Sequence, residues 1–216
     1  MHAVVLVGGF GTRLRPLTFG IPKPLLPVCN IPLLERLMTS LAHGGVTHAV
    51  LALGFKPEPF LKAFPNNRCA DVELSYAVED RPLDTSGAIG FAAREAKIYE
   101  RGETFIVANG DILTDLDVAK LVSFHHSVKA EGTIHLTPVA DPSQYGVVET
   151  DSNGKVIRFV EKPKAGETVS RHVNGGTYIF ETSALERMPG TAPLSIERET
   201  FPEMVRDGVL YALATD

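Results

Sequence analysis

The stretch Leu6–Pro24, LVGGFGTRLRPLTFGIPKP, decides how the chain is read. It continues the apolar run His2-Ala3-Val4-Val5-Leu6-Val7, which reads as a buried strand. Gly8, Gly9 and Gly11 follow and let the backbone approach a ligand closely. Thr12, Arg13 and Lys23 add a hydroxyl and cations to the same stretch. Exposed N–H groups in a Gly-rich turn form an anion-binding concavity, and an arginine adds forked donors, so the ligand favoured here is a polyphosphate.

Two better-known phosphate loops do not fit. Gly9-Phe10-Gly11-Thr12-Arg13-Leu14 starts like a dinucleotide fingerprint, but Leu14 replaces the third glycine and Pro16 interrupts a helix that would follow directly. The P-loop pattern also fails, because no Gly-Lys-Ser/Thr follows at the required spacing.

Working outward, Leu33, Leu34, Leu37, Met38 and Leu41 recur at helical spacing between Pro32 and Gly44-Gly45. Strands are expected at 47–53, 72–78 and 104–108, and helices at 57–64, 85–96 and 117–126. The strand at 104–108 ends in Asn109-Gly110-Asp111. Further strands are expected at 132–139, 147–150, 156–160, 173–180 and 209–213, with Asp151-Ser152-Asn153-Gly154 as a hairpin turn and Ser195 capping a helix that runs to Val205. The first half alternates β and α, which implies a mostly parallel sheet flanked by helices; the second half adds hairpin strands. In such sheets ligands lie beyond the carboxyl ends of the strands, which puts the Gly loop and Asn109-Gly110-Asp111 on one rim.

The chain has 216 residues, 44% of them apolar, enough to bury a core as one domain. Its net charge of −5 argues against nucleic acid as the main partner. Cys29 and Cys69 match no metal spacing and are expected to be reduced and semi-buried. No apolar run approaches the roughly 18 residues of a membrane span, and no leader pattern opens the chain, so a cytoplasmic protein with no membrane partner is expected. His125-His126 reads as a surface or partly buried pair rather than a metal site.

At this point the sequence resembles the sugar-1-phosphate nucleotidyltransferases. The resemblance is carried by VGGFGTRLRPLT with Lys23-Pro24, by Pro82-Leu83 with Thr85-Ser86-Gly87, and by Asn109-Gly110-Asp111. It continues through Tyr145-Gly146-Val147, Phe159-Val160-Glu161-Lys162-Pro163, Asn174-Gly175-Gly176-Thr177-Tyr178-Ile179-Phe180, and Ser195-Ile196-Glu197-Arg198-Glu199 with Phe201-Pro202. The last two blocks look most like the mannose-1-phosphate guanylyltransferase branch. The resemblance implies a Rossmann-like nucleotidyltransferase fold, with a nucleotide-binding part over about 1–111 and a sugar-phosphate part over about 112–216. It implies the reaction of an NTP with a sugar 1-phosphate to give an NDP-sugar and pyrophosphate, most readily GTP with mannose 1-phosphate to give GDP-mannose; thymidylyl or uridylyl transfer to glucose 1-phosphate is the alternative. A homo-oligomer is compatible with the sequence, which defines no assembly.

The roles follow residue by residue. Arg13 resembles the arginine that holds the triphosphate, Lys23 the lysine on phosphate oxygens near the reacting centre, and Asp111 the aspartate that holds Mg²⁺. Leu6, Gly8, Gly9, Gly11, Thr12 and Gly110 would wrap the nucleotide. Glu79 and Gly87 fall where the family reads the base, although Glu79-Asp80-Arg81 reads equally well as a solvated charged turn. Gly146, Glu161, Lys162 and Asn174 resemble the sugar-phosphate set. On one strand Glu161 and Lys162 would point to opposite faces, so a strand end or bulge is needed to let both reach ligand.

Three departures stand out. Asp84 occupies a place where guanylyltransferases usually carry glycine, and an acid there resembles the muramic-acid-1-phosphate uridylyltransferases, so base choice stays open. The family's Trp-x-Asp block, with its second metal aspartate, is absent from a sequence that has no tryptophan. The left-handed β-helix of the guanylyltransferase branch is absent as well. The chain is therefore expected to lack the C-terminal end of the family domain. A homologue that binds nucleotide-sugar without turnover is the competing reading.

Overall fold

The computed structural model describes residues 1–9, 11–54, 57–164 and 166–215; Phe10 of the loop and Asp216 lie outside them. In chain order the elements are β1 (His2–Leu6), a hairpin of β2 (Pro27–Val28) and β3 (Ile31–Pro32), α1 (Leu33–His43), β4 (His48–Leu53), α2 (Glu58–Ala63), β5 (Arg68–Cys69) and β6 (Val72–Val78). Next come α3 (Asp84–Glu95), α4 (Ile98–Arg101), β7 (Phe105–Asn109) and α5 (Val118–Val128). The chain then runs through β8 (Gly132–Pro138), β9 (Gly146–Thr150), β10 (Val156–Glu161) and β11 (His172–Phe180) to α6 (Phe201–Asp207) and β12 (Leu210–Ala214).

Ten of these strands form one sheet. Its parallel centre is ordered β6-β4-β1-β7; β11 joins β7 antiparallel, β9 joins β11 antiparallel, and β10 joins β9 antiparallel. The sheet forks at β11: Val173 pairs with both Thr137 and Val147, whereas Tyr178 pairs with both Ile134 and Val107. β12 runs parallel to β8 on the outer side of that fork. The expected mixed sheet with added hairpin strands is what the chain forms.

Strand alternation builds two cores. Val4, Phe105, Val107, Tyr178 and Phe180 face one side with Ile89, Ala92 and Ala93 of α3 and Phe201 and Met204 of α6. Ala3, Val5, Ile106, Ala108 and Ile179 face the other with Leu34, Leu37, Met38 and Leu41 of α1 and Leu121 of α5. The central strands therefore have no polar face, as parallel strands covered by helices on both sides require.

Several boundaries differ from expectation for local reasons. The helix expected from Ser195 starts as a wide π turn, Ile196–Thr200, before α6. Pro202 has no N–H to offer the carbonyl four residues back and sits in the first turn of α6, so the wide turn before it is not wound as regular α-helix. The β2–β3 hairpin and β5 were not legible, being two-residue strands. The cysteines are free but differ: Cys69 is buried, and burial pushes its thiol up to about 12, while Cys29 is exposed, contrary to the semi-buried expectation, at the hairpin tip, where it takes φ +50°. None of the described helices is long and apolar enough to cross a membrane.

Candidate active site

In the parallel centre, β1, β4 and β6 step outward in one direction, and β7 then returns to the other side of β1. The connections leaving β1 and β7 thus diverge, and a crevice opens at their carboxyl ends. The mouth is fixed by register: Leu6 pairs with Asn109, and the Gly110 N–H donates to the Leu6 carbonyl at 2.8 Å. Both expected rim segments meet here.

A cavity of about 400 Å³ occupies this crevice, and Leu6, Gly8, Gly9, Gly11, Thr12 and Arg13 line it together with Lys23, Thr85, Asn109 and Asp111. Gly11 takes φ +57°, and the Thr18 hydroxyl donates to its carbonyl at 2.8 Å, which folds the loop back on itself. Thr12 and Arg13 lie in the 3-10 turn that follows. Lys23 opens a second such turn, pinned by the buried Pro24. Its Nζ reaches Asp111 Oδ2 at 2.6 Å, with both side chains about one-third exposed to the cavity. Thus two residues far apart in sequence carry opposite charges at the point where the β1 and β7 loops face each other.

A second cavity of about 280 Å³ adjoins the first and shares Leu6, Gly8, Gly9 and Thr85 with it. Its walls are mostly apolar, with Ala52, Leu83 and Ala88, and its acidic groups are Glu79 and Asp84. Glu79 is only 9% exposed, which rules out a solvated turn for this residue. Its Oε2 accepts from the Leu83 N–H at 2.9 Å. Burial pushes the Glu79 carboxyl above the ordinary carboxylate range, and the Leu83 N–H pulls it partly back.

Gly87 does not line either cavity. A Cβ there would stand 2.6 Å from the Ala192 carbonyl oxygen, so Gly87 lets α3 press against the segment before the π turn. The same contact is secured by Thr85 Oγ1, which accepts from the Ile196 N–H at 2.8 Å and donates to Glu197 at 3.0 Å. Ser86 and Thr200 share a hydrogen bond at 2.7 Å beneath it. Gly110 is likewise buried below the rim rather than lining the cavity. Thr85 and Asn109, which were quoted only as parts of motifs, do line the phosphate-sized cavity.

The sugar-phosphate candidates gather on β9, β10 and β11. Gly146 pairs with Glu161, and Glu161 Oε2 lies 3.0 Å from where a Cβ on Gly146 would stand; glycine leaves the carboxylate its place. β10 ends at Glu161, and Lys162 turns into the left-handed region at φ +50°. This supplies the required strand end, and Lys162 Nζ swings to 3.6 Å from Glu161 Oε1. Asn174 sits at a register shift in β11, donating to the Tyr178 hydroxyl at 2.9 Å and accepting from the Gly176 N–H. Asn174 adjoins the larger cavity through Gly176, which lies against the Asn109 amide that lines it.

Two donor sets bear on a metal ion. Asp111 and Asn109 offer oxygen to a cavity sized for phosphates, which fits Mg²⁺, an ion that takes few protein ligands beside phosphate oxygens. His125, His126 and Glu181 form the other group able to hold an ion. They lie at the opposite end of β7, their nitrogens do not suit Mg²⁺, and His125 is fully buried, deeper than the surface or partly buried position expected. Its ring nitrogens are already engaged by Thr133 at 2.8 Å and Glu181 at 3.2 Å.

Comparison with known proteins gives concordant results. The family model described as nucleotidyl transferase matches residues 2–213. A mannose-1-phosphate guanylyltransferase of Mycobacterium tuberculosis is 40% identical over 208 residues, covering 96% of this chain and 56% of that protein. The mannose-1-phosphate guanyltransferase beta-A of Xenopus laevis is 43% identical, covering 99% of this chain and 58% of that protein. The chain thus spans a little over half the length of the curated relatives it matches. Among solved structures, HddC from Yersinia pseudotuberculosis complexed with GMP-PN superposes with a TM-score of 0.79 at 31% identity, covering 99% of this chain and 90% of that one. A glucose-1-phosphate thymidylyltransferase candidate from Bacillus anthracis gives a TM-score of 0.86 at 24% identity and supports the fold alone.

Proposed function

The chain belongs to the nucleotidyl transferase family, and from that premise we propose that it joins GTP to mannose 1-phosphate, giving GDP-mannose and pyrophosphate. The observation that carries this reading is the convergence of the Gly loop, Arg13, Lys23 and Asp111 on one cavity beside a smaller apolar one. The names of the relatives at 40–43% identity support the choice of guanine and mannose.

The chemistry asks for alignment and charge neutralisation rather than a nucleophile on the protein. A phosphate oxygen of the sugar 1-phosphate attacks the α-phosphorus of GTP. The bond from that phosphorus to the bridging oxygen breaks, and pyrophosphate leaves with the electron pair. Loop N–H groups, Thr12 and Arg13 hold the triphosphate and take up charge on the leaving group. Lys23 leaves its pairing with Asp111 to meet phosphate oxygen. The Glu79 cavity takes the base. Glu161 and Asn174 accept from or donate to sugar hydroxyls, and Lys162 meets the sugar phosphate. Asp111 would hold Mg²⁺, which supplies positive charge to the phosphate oxygens when bound.

Pyrophosphorolysis tests the reading. With Mg²⁺ and pyrophosphate, the protein is expected to convert GDP-mannose to GTP and mannose 1-phosphate. Turnover confined to UDP- or dTDP-glucose would replace the substrates and keep the reaction class. Tight GDP-mannose binding with no pyrophosphorolysis would favour the non-catalytic reading.

A further inference from the structure

Asp84 is an anomaly. It opens α3 with φ +56°, a conformation that favours glycine, and it does so on the wall of the smaller cavity. Aspartate tolerates this conformation better than most residues, and here Oδ1 accepts from the Thr85 N–H at 2.7 Å. That contact occupies one carboxylate oxygen and leaves the other unassigned. Glu79, on the same wall, is in the same condition, with Oε2 held by Leu83 and Oε1 unassigned.

Carboxylates accept hydrogen bonds and, when ionised, donate none. The two acids are the charged side chains among the described lining of this cavity, so it offers acceptors. A nucleobase suited to it must present donors side by side. Guanine does so, with its ring N1–H next to its 2-amino group. Uracil and thymine place a carbonyl oxygen on each side of their single N–H, which sets oxygen against a second carboxylate; because an acid at position 84 also resembles the uridylyltransferases, UTP is the nucleotide that must bind more weakly than GTP. Adenine and cytosine place a ring-nitrogen acceptor beside their amino group.

We propose that Asp84 is a specificity residue for the nucleotide, accepting a hydrogen bond from the exocyclic 2-amino group of guanine while Glu79 accepts from the ring N–H. The proposal rests on the guanylyl reading above and adds to it the residue that separates guanine from a purine lacking the amino group. The alternative role for Asp84 is local: a negative charge near the amino end of α3 that closes a turn on Thr85.

Competition binding of GTP and ITP distinguishes the two, because ITP differs from GTP by the loss of that amino group. Binding is measured on the whole protein, for the parent and for Asp84→Gly and Asp84→Asn. A hydrogen bond to a charged acceptor corresponds to about 10- to 100-fold in affinity, so the parent is expected to prefer GTP over ITP by that factor. Asp84→Gly is expected to bring the ratio to within about threefold, and Asp84→Asn to an intermediate value. A thermal melt accompanies each variant: a purely local role would shift the melting temperature and leave the GTP/ITP ratio at the parent value, which would overturn the proposal. If the parent instead binds UTP or dTTP more tightly than GTP, the guanylyl reading fails and this proposal with it.

Discussion

Lys23 Nζ and Asp111 Oδ2 stand 2.6 Å apart although 88 positions separate the residues in sequence. The pair closes the crevice between the β1 and β7 connections. Both side chains remain partly exposed, 32% and 39%, so the ion pair adds little to stability, under about 1 kcal/mol. Its position points to ligand binding instead. Lys23→Met is expected to lower turnover by about 100-fold or more with little change in melting temperature. A large loss of stability with near-parental turnover of the folded fraction would assign the pair a structural role.

Asp111→Asn keeps the side chain's shape and removes its charge. It is expected to raise the Mg²⁺ concentration needed for half-maximal turnover by at least about tenfold. Titration of Mn²⁺ binding by electron paramagnetic resonance, in parent and variant, gives a readout that does not depend on turnover. Equal ion affinity in both would remove Asp111 from the metal site.

Glu161 and Lys162 are held together by the end of β10 and the left-handed turn at Lys162. Because neither lines the nucleotide cavities, Lys162→Ala is expected to raise KM for the sugar 1-phosphate about tenfold or more while leaving GTP affinity within about twofold. Steady-state kinetics with each substrate varied in turn measures the split. An equal loss for both substrates would place Lys162 on the nucleotide.

Gly87→Ala places a methyl 2.6 Å from the Ala192 carbonyl oxygen in a buried contact. Overpacking of this kind costs about 1–3 kcal/mol, to be read from urea unfolding. No change would show that the segment at 188–194 yields easily.

Burial holds His125 below the ordinary histidine value of 6.5, opposed by Glu181, and His135 below it as well, opposed by Asp115. Between the lowered folded values and 6.5 the unfolded chain binds more protons than the folded one. Stability therefore rises with pH through that window, is complete above 6.5, and is lost as pH falls through the window toward the folded values. Melting temperature measured from pH 7.5 down to about 5 should fall more steeply in the parent than in His125→Gln, whose melting temperature starts lower. Equal slopes would assign the acid sensitivity to other groups.

The sequence made much of this visible, and the reasons differ by element. The β1 run and the loop after it were legible because apolar continuity and glycine spacing are local signals, and the rim position of Asp111 followed from the rule for parallel sheets. The pairing of Glu161 with Lys162 was legible only as a requirement; the left-handed turn at Lys162 that meets it has no signature in a lysine. Gly87 reads as a base contact because it falls where the family reads the base, whereas its open side is filled by Ala192, a contact across the fold that no local pattern encodes. His125 reads as surface or partly buried rather than fully buried for the same reason, since its partners Thr133 and Glu181 come from β8 and from the end of β11.

The most direct test is product formation by the whole protein with Mg²⁺, GTP and mannose 1-phosphate, followed by phosphorus nuclear magnetic resonance. The account predicts matched appearance of GDP-mannose and pyrophosphate, slowed about 100-fold or more by Lys23→Met, with much weaker signals when UTP or dTTP and glucose 1-phosphate are supplied. Product from UTP or dTTP but not from GTP would contradict the choice of substrates, and no diphosphate-sugar from any pair would contradict the proposed activity itself.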